Sequence, residues 1–146
     1  MNKLKQGFLG LAILSMAACG LTSKNENAAL TVQEFNAKMS ETSNYTLLDV
    51  RTPEEYTTGY LAGAQNMDVN SADFASNAAT LNKEKVVLVY CKSGGRSKTA
   101  ADQLRVLGYE VFDLAGGITS WRASDLPIEQ VKKEDKESFT LARYKK

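Results

Sequence analysis

Histidine is absent from this chain of 146 residues. Without an imidazole, Ser-His-Asp and Cys-His hydrolysis and histidine-ligated metal sites are excluded. Cysteine is scarce as well: Cys19 and Cys91 are too few for a disulfide framework or a four-thiolate zinc site. The net charge is only +1, so no overall electrostatic field attracts nucleic acid. We therefore expect no metal, no other cofactor and no nucleic-acid partner.

The remaining composition is that of an ordinary globular protein. Hydrophobic residues make up 43% of the chain and charged residues 24%, both far from the values typical of a disordered segment. The length suffices for one domain and hardly for two.

The N-terminal segment has the order of features found in a secretory signal. Lys3 and Lys5 precede an apolar stretch over residues 8–18, which is too short to span a bilayer comfortably. The letters "MAAC" at 16–19 resemble a bacterial lipobox, in which cleavage precedes a cysteine that becomes lipidated. We therefore predict that residues 1–18 are a lipoprotein signal peptide and that Cys19 carries the lipid.

These features predict an exported lipoprotein, anchored to a membrane on the periplasmic or extracellular face. Residues 19–29 are polar and would form a tether between the lipid and the folded part. The domain itself is predicted over residues 30–128. Residues 129–146 form a charged tail in which "FTLARY" could dock.

Within the domain, apolar segments alternate with helical patterns, which is typical of a parallel sheet flanked by helices. Thr31 with Glu34, and Thr52 with Glu55, have the spacing of two capping boxes that begin helices. "KVVLVYC", at 85–91, has the length and branching of a buried central strand. The sequence thus predicts an α/β fold.

Cys91 follows that central strand, at the edge of an α/β sheet where ligands bind. The next helix is predicted over residues 96–107. Small residues after Cys91 would let backbone N–H groups converge on its sulfur, and the helix N-terminus and nearby cations would favour the thiolate. The residues expected to surround an anion here are Lys92, Ser93, Gly94, Gly95, Arg96 and Ser97.

Three stretches of the chain resemble the rhodanese family of single-domain sulfurtransferases. "CKSGGRS" is similar to the active-site loop, "LLDVRTPEEYTTGYLAGAQNM" to the upstream motif and "LAGGITSWRASDLPI" to the closing motif, so the resemblance covers residues 31–128. It implies a five-stranded, mainly parallel sheet flanked by helices. Tyr60 and Ala62 depart from the histidine and proline usual in the family.

The resemblance also implies that Cys91 accepts a sulfane sulfur from thiosulfate or a similar donor and passes it to a thiol or cyanide. Arg96 would orient the donor anion or hold the loop through backbone carbonyls. Lys92 would face the incoming anion, unless it is simply solvated. Ser97 would cap the helix, with a hydroxyl that can also reach the sulfur.

Asp49 and Arg51 follow the preceding strand at the same sheet edge and are predicted to support the structure. Asp49 would accept loop N–H groups, and Arg51 would pair with Glu54 or Glu55. Substrate binding by Asp49 and Arg51 is the alternative.

Three other functions compete with a sulfurtransferase. A membrane-tethered persulfide carrier or binding module with little turnover would need the same loop. A cysteine phosphatase is disfavoured because only four residues separate Cys91 from Arg96, one fewer than that class has. A purely structural lipoprotein would leave the loop unexplained.

Overall fold

The computed structural model describes residues 29–131. The predicted signal peptide, Cys19, nearly all of the tether and most of the tail lie outside these residues. Within the described part, no helix is both long and apolar enough to cross a bilayer.

Helices and strands alternate along the chain, as the hydrophobic pattern predicts. Their order and bounds are α1 (Val32–Glu41), β1 (Tyr45–Asp49), α2 (Pro53–Thr57), β2 (Gln65–Asn66), α3 (Phe74–Ala78), β3 (Val86–Tyr90), α4 (Gly95–Val106), β4 (Val111–Asp113) and α5 (Gly117–Ala123).

The sheet confirms the predicted parallel α/β architecture. Its strand order is β2-β1-β3-β4, and every pair of neighbours is parallel. The strand count differs from the five expected: the described residues contain four strands, and beyond β4 the sheet continues only as a parallel bridge between Leu30 and Leu114. Leu30 is held there by its N–H to the Asp113 carbonyl at 2.7 Å and by its carbonyl to the Ala115 N–H at 2.8 Å.

Both predicted capping boxes are confirmed. The Thr31 hydroxyl accepts from the Glu34 N–H while the Glu34 carboxylate accepts from the Thr31 N–H, so two donors at the start of α1 are satisfied. Thr52 and Glu55 do the same for α2, and Pro53 occupies its first turn. Local side-chain chemistry therefore determines where these helices begin.

Two helices differ from the predicted bounds. The helix predicted over 96–107 begins one residue earlier, at Gly95, because Gly94 adopts φ +102° and serves as its N-cap. The letters "SADFASNAATLN" at 71–82 predict one longer helix, but α3 is only five residues long and is flanked by turns such as the one closed by the Phe74 N–H on the Ser71 carbonyl.

Strand β3 lies at the centre of the core, since both of its faces are covered. Val87 and Val89 pack on one side with α3 and α4 residues, and Leu88 and Tyr90 on the other with α1 and α5 residues. All four are fully buried. The predicted buried central strand is therefore confirmed. The loop that begins at Cys91 extends from the end of this fully buried strand.

The two departures from the family pattern lie just beyond α2. The Tyr60 ring stacks on that of Tyr56, with centroids 4.2 Å apart, and the Tyr56 hydroxyl donates to the Ala64 carbonyl at 2.7 Å. Tyr60 thus packs beside α2.

Candidate active site

Strands β1 and β3 bring two predicted groups of site residues to one edge of the sheet. Asp49 and Tyr90, the last residues of these strands, are paired in register. The Val50 N–H donates to the Tyr90 carbonyl at 3.0 Å, which keeps the chain segments together beyond the strands. Cys91 therefore begins its loop next to the segment that carries Arg51.

The Cys91 sulfur lies on the floor of this loop and accepts hydrogen bonds from it. The Gly94 N–H donates to the sulfur at 3.1 Å, and the Ser97 hydroxyl lies 3.4 Å from it. Gly94 can turn its amide inward because it adopts φ +102°, a conformation that other residues rarely adopt. Only 1% of Cys91 is exposed, so a reagent must enter the loop to reach the sulfur.

Two opposing effects act on the pKa of the Cys91 thiol. Burial raises this pKa, because a thiolate loses solvation. Hydrogen bonds from the Ser97 hydroxyl and from the backbone amides of Ser97, Gly94 and Ser93 lower it. The hydrogen bonds outweigh burial, so the pKa of Cys91 lies below that of an ordinary cysteine. The arrangement therefore favours a thiolate.

The sequence suggested that Ser97 caps helix α4, but it does not. Gly94 is the N-cap of α4, and Ser97 lies within its first turn, fully buried. Its hydroxyl lies 3.1 Å from the Gly94 carbonyl as well as near the Cys91 sulfur. Ser97 is thus a direct neighbour of the sulfur.

Arg96 forms an ion pair instead of the predicted hydrogen bonds to loop carbonyls, and its predicted role of orienting a donor anion stays a prediction. Its guanidinium donates both of its terminal N–H groups to the Glu55 carboxylate, at 2.6 and 2.8 Å. This ion pair joins the active-site loop to α2 and lowers the pKa of Glu55 to about 2. The two side chains are 29% and 30% exposed, so the pair lies at the surface of the site. Arg96 reaches a neighbouring element instead of the loop carbonyls.

Asp49 and Arg51 form an ion pair with each other below the loop. Arg51 donates to both Asp49 carboxylate oxygens and, at 2.7 Å, to the Gly59 carbonyl. The expected pairing of Arg51 with Glu54 or Glu55 is wrong, because the buried Asp49 carboxylate is closer and Glu55 is engaged by Arg96. Asp49 also accepts the Arg51 N–H at 3.0 Å.

The loop is braced from α5, a contact that sequence reasoning missed. The Ile118 N–H donates to the Cys91 carbonyl at 2.9 Å, and the Thr119 N–H and hydroxyl donate to the Lys92 carbonyl at 3.1 and 2.8 Å. A Cβ atom on Gly117 would lie 2.4 Å from the Cys91 carbonyl oxygen. The pair of glycines at 116–117 was the available clue, since such pairs permit close backbone approach.

The other predicted loop residues point outward. The side chains of Lys92 and Ser93 are exposed, and so is Gly95. A Cβ atom on Gly95 would meet nothing within 4 Å, so packing does not require glycine there. Among the described residues, no cluster of three or more Cys, Asp or Glu side chains could hold a metal ion.

Comparison with known proteins points to one family. The model of the rhodanese-like domain matches residues 31–124. A sulfurtransferase from Allochromatium vinosum is 31% identical over 97 residues, a match that covers 66% of this chain and 89% of that protein. Both matches span the loop that carries Cys91.

Two further relatives show how widely this domain is used. An HTH-type transcriptional regulator from Mycobacterium tuberculosis is 31% identical and matched over 82% of this chain, which spans only about half (52%) of that regulator. The crystal structure of a rhodanese-related protein from Thermoplasma volcanium superposes with a TM-score of 0.63 at 28% identity, covering 70% of this chain and 98% of that one. The match to the family model and the similarity to these relatives show that the chain belongs to the rhodanese-like domain family, which includes sulfurtransferases.

Proposed function

We propose that the protein is a sulfurtransferase that carries a sulfane sulfur as a persulfide on Cys91. In the first step the Cys91 thiolate attacks the outer sulfur of a donor such as thiosulfate. A new S–S bond forms, the S–S bond of the donor breaks, and its electron pair leaves with sulfite. This is covalent catalysis, which divides one transfer into two steps and is expected to follow ping-pong kinetics.

In the second step an acceptor such as cyanide or a thiolate attacks the outer sulfur of the persulfide. The bond to the Cys91 sulfur breaks, and its electron pair returns to Cys91 as the thiolate. No general base is needed in either step, in keeping with a chain that has no histidine. Backbone N–H groups of the loop would stabilise the negative sulfur in both steps.

The observation that supports this proposal best is the set of donors around the Cys91 sulfur. The Gly94 amide lies 3.1 Å from it and the Ser97 hydroxyl 3.4 Å, and the pKa of the thiol is lowered in spite of burial. A cysteine that served only as a small hydrophobic residue would have no use for these donors.

Intact mass spectrometry tests the assignment. Treatment with thiosulfate should add one sulfur atom, about 32 Da, to the wild-type protein and to Cys19→Ala, but nothing to Cys91→Ser. Cys19→Ala is the matched control, because it removes the other cysteine. An equal mass gain in Cys91→Ser and the wild type would show that Cys91 is not the sulfur carrier.

A persulfide carrier with little turnover is the second candidate. It is favoured by the ion pair of Arg96 with Glu55, because a guanidinium that already holds a carboxylate offers less charge to a dianionic donor. A steady-state assay with thiosulfate and cyanide distinguishes the two functions. A carrier would take up one sulfur per chain and release almost no thiocyanate, whereas an enzyme would continue through many cycles.

Phosphatase activity is a weaker alternative. The four residues between Cys91 and Arg96 form a ring better suited to a sulfur atom than to a tetrahedral phosphate. Arg96, which would have to bind that phosphate, is paired with Glu55. Hydrolysis of p-nitrophenyl phosphate that is lost in Cys91→Ser would overturn the sulfurtransferase assignment.

We also propose, from the sequence, that the mature protein is a lipoprotein anchored through Cys19. Two or three acyl chains would hold it on a membrane stably. Cys19→Ala should therefore move the protein from the membrane fraction to the soluble or precursor fraction, with Cys91→Ser as a control that stays membrane-bound. Unchanged membrane association of Cys19→Ala would contradict this proposal.

A further inference from the structure

Asp113, the last residue of β4, is a buried carboxyl group that the sulfur-transfer steps do not use. Only 6% of the residue is exposed. Its Oδ1 atom is buried without a hydrogen-bond partner among the described residues. A buried carboxylate oxygen without a hydrogen-bond partner is unfavourable, and such an atom calls for an explanation.

The Ser97 hydroxyl lies between this carboxyl group and the Cys91 sulfur. It is 3.4 Å from the sulfur and 3.1 Å from the Gly94 carbonyl, and its interaction with the Asp113 carboxyl group lowers the pKa of that group. A hydroxyl has a single proton to donate. The sulfur, the carbonyl and the carboxyl group of Asp113 therefore compete for one donor.

The other charges that face Asp113 come from α4. Lys98, Asp102 and Arg105 line, together with Asp113, a pocket of about 490 Å³ on the side of Gly94 and Gly116. Asp102 forms ion pairs with both Lys98 and Arg105 at 3.2 Å, so much of their positive charge is balanced locally. Through this pocket Asp113 can exchange its proton with solvent.

Asp113 changes its charge under mildly acidic conditions. Burial raises its pKa to about 6, in spite of the opposing effects of Ser97, Arg105, Lys98 and its backbone contact with Leu114. Its charge thus varies over a pH range in which an activated cysteine also ionises.

We propose that Asp113 is a positioning residue that controls the ionisation of Cys91 through the Ser97 hydroxyl. When Asp113 is negative, it attracts the Ser97 proton away from the sulfur and repels a thiolate. When Asp113 is protonated, the hydroxyl is released to the sulfur and the repulsion disappears. The inference deepens the proposed function, since it rests on Cys91 as the nucleophile.

The two groups then behave as a coupled pair in which each resists the ionisation of the other. As the pH falls, protonation of Asp113 lowers the pKa of Cys91. This partly offsets the protonation of the thiolate that acid normally causes. The titration of Cys91 in the wild type should be shallower than that of a single independent group.

The rate of alkylation by iodoacetamide measures the thiolate directly and needs no sulfur donor. It should be followed from about pH 4 to about pH 9 in a Cys19→Ala background, in which Cys91 is the only thiol. Asp113→Asn should lower the pKa of Cys91 and raise the alkylation rate below that pKa by about tenfold, the effect of removing one nearby like charge. Asp73→Asn, an exposed acidic residue outside this pocket, is the matched control and should leave the profile unchanged.

Two outcomes would overturn the proposal. One is an alkylation profile of Asp113→Asn that coincides with that of the parent. The other is an increase in the alkylation rate on Asp113→Asn that is just as large in a Ser97→Ala background, which would show that the hydroxyl does not transmit the effect of Asp113. In that background we expect the rate to rise by less than about threefold. Persulfide formation can fail in mass spectrometry while these alkylation results hold, so failure of the proposed function is distinguished from failure of this inference.

A second measurement does not depend on the Asp113 variant. The coupling is reciprocal, so Cys91→Ser should lower the pKa of the Asp113 carboxyl observed by NMR. An unchanged Asp113 pKa in Cys91→Ser would contradict coupling of the pair.

Discussion

At the scale of single residues, Glu55 controls how much positive charge the active-site loop can present. Its carboxylate holds both terminal nitrogens of Arg96, at 2.6 and 2.8 Å. The same carboxylate also accepts the Thr52 N–H of the capping box at 3.2 Å. One acidic side chain therefore begins a helix and neutralises the arginine of the loop.

Replacing this carboxylate should improve the binding of a dianionic donor. In Glu55→Gln the guanidinium of Arg96 is freed, and we expect the KM for thiosulfate to fall by about threefold to tenfold with little change in kcat. Steady-state kinetics would measure this. Glu54→Gln, which removes the same charge from the same helix, is the control. A KM that is unchanged or higher in Glu55→Gln would contradict this reading of the ion pair.

The sequence located the reactive residues but not their partners. Cys91 could be singled out because it stands before two glycines and is followed closely by Lys92 and Arg96. The partner of Arg51 could not be chosen, because Asp49, Glu54 and Glu55 are all near it in sequence. The partner of Arg96 lies 41 residues away in α2, and only the packing of α2 on the loop brings the two together. Asp113 carried no motif and became notable only through its burial.

At the scale of elements, the loop after β3 depends on the loop before α5. Gly117 adopts φ +58°, and its Cα lies so close to the Cys91 and Lys92 peptide that a Cβ atom would lie 2.4 Å from one carbonyl oxygen and 2.7 Å from the other. The N–H groups at the start of α5 then reach both carbonyls. The position of the sulfur is thus determined by two loops together.

Gly117→Ala should therefore disturb both the fold and the site. We expect a loss of more than about 2 kcal/mol in the free energy of unfolding, from the left-handed backbone and the steric overlap. Gly95→Ala is the matched control, since its Cβ would meet nothing within 4 Å. Urea unfolding measures the stability, and alkylation of Cys91 reports on the site. Equal stability of the two variants would refute the role assigned to Gly117.

Elements with local causes were the most predictable. The starts of α1 and α2 follow from capping boxes, whose residues lie three apart in the chain. The start of α4 was misplaced because it depends on the backbone conformation of Gly94, which the letters "SGG" permit but do not specify. The contact of α5 with the loop joins residues 27 positions apart, and no local pattern encodes it.

At the scale of the whole molecule, Asp113 makes stability depend on pH. Its pKa is about 6 in the folded protein, above the usual 3.8 expected when unfolded. The folded state therefore binds more protons between these values, and stability falls as the pH rises through this window. Above about pH 6, burial of the ionised Asp113 carboxylate lowers the free energy of unfolding by its full amount, on the order of 3 kcal/mol at most.

Asp113→Asn should remove this penalty. The variant should be more stable than the wild type at neutral pH by about 1 to 3 kcal/mol, and the difference should vanish below about pH 3, where Asp113 is mostly protonated in both states. Urea unfolding at several pH values measures this, with Asp102→Asn as the control for surface charge. A difference that persists unchanged in acid would indicate another cause.

The α/β class and the parallel sheet were predictable because alternating segments leave few other arrangements. The number of strands was not, since the outermost position is occupied by one bridging residue, Leu30, and not by a run with a hydrophobic pattern of its own. Edge positions contribute little to the core and so leave little trace in the sequence.

The bridge of Leu30 with Leu114 also has a geometric consequence for a lipidated protein. It attaches the start of the domain beside Asp113 and Ala115, close to the segment that braces the loop of Cys91. Ten residues separate Cys19 from Leu30, and a fully extended stretch of that length reaches about 35 Å. If Cys19 is acylated, this linker keeps Leu30 within that distance of the bilayer surface, so the domain is held close to donors and acceptors dissolved in or bound to the membrane.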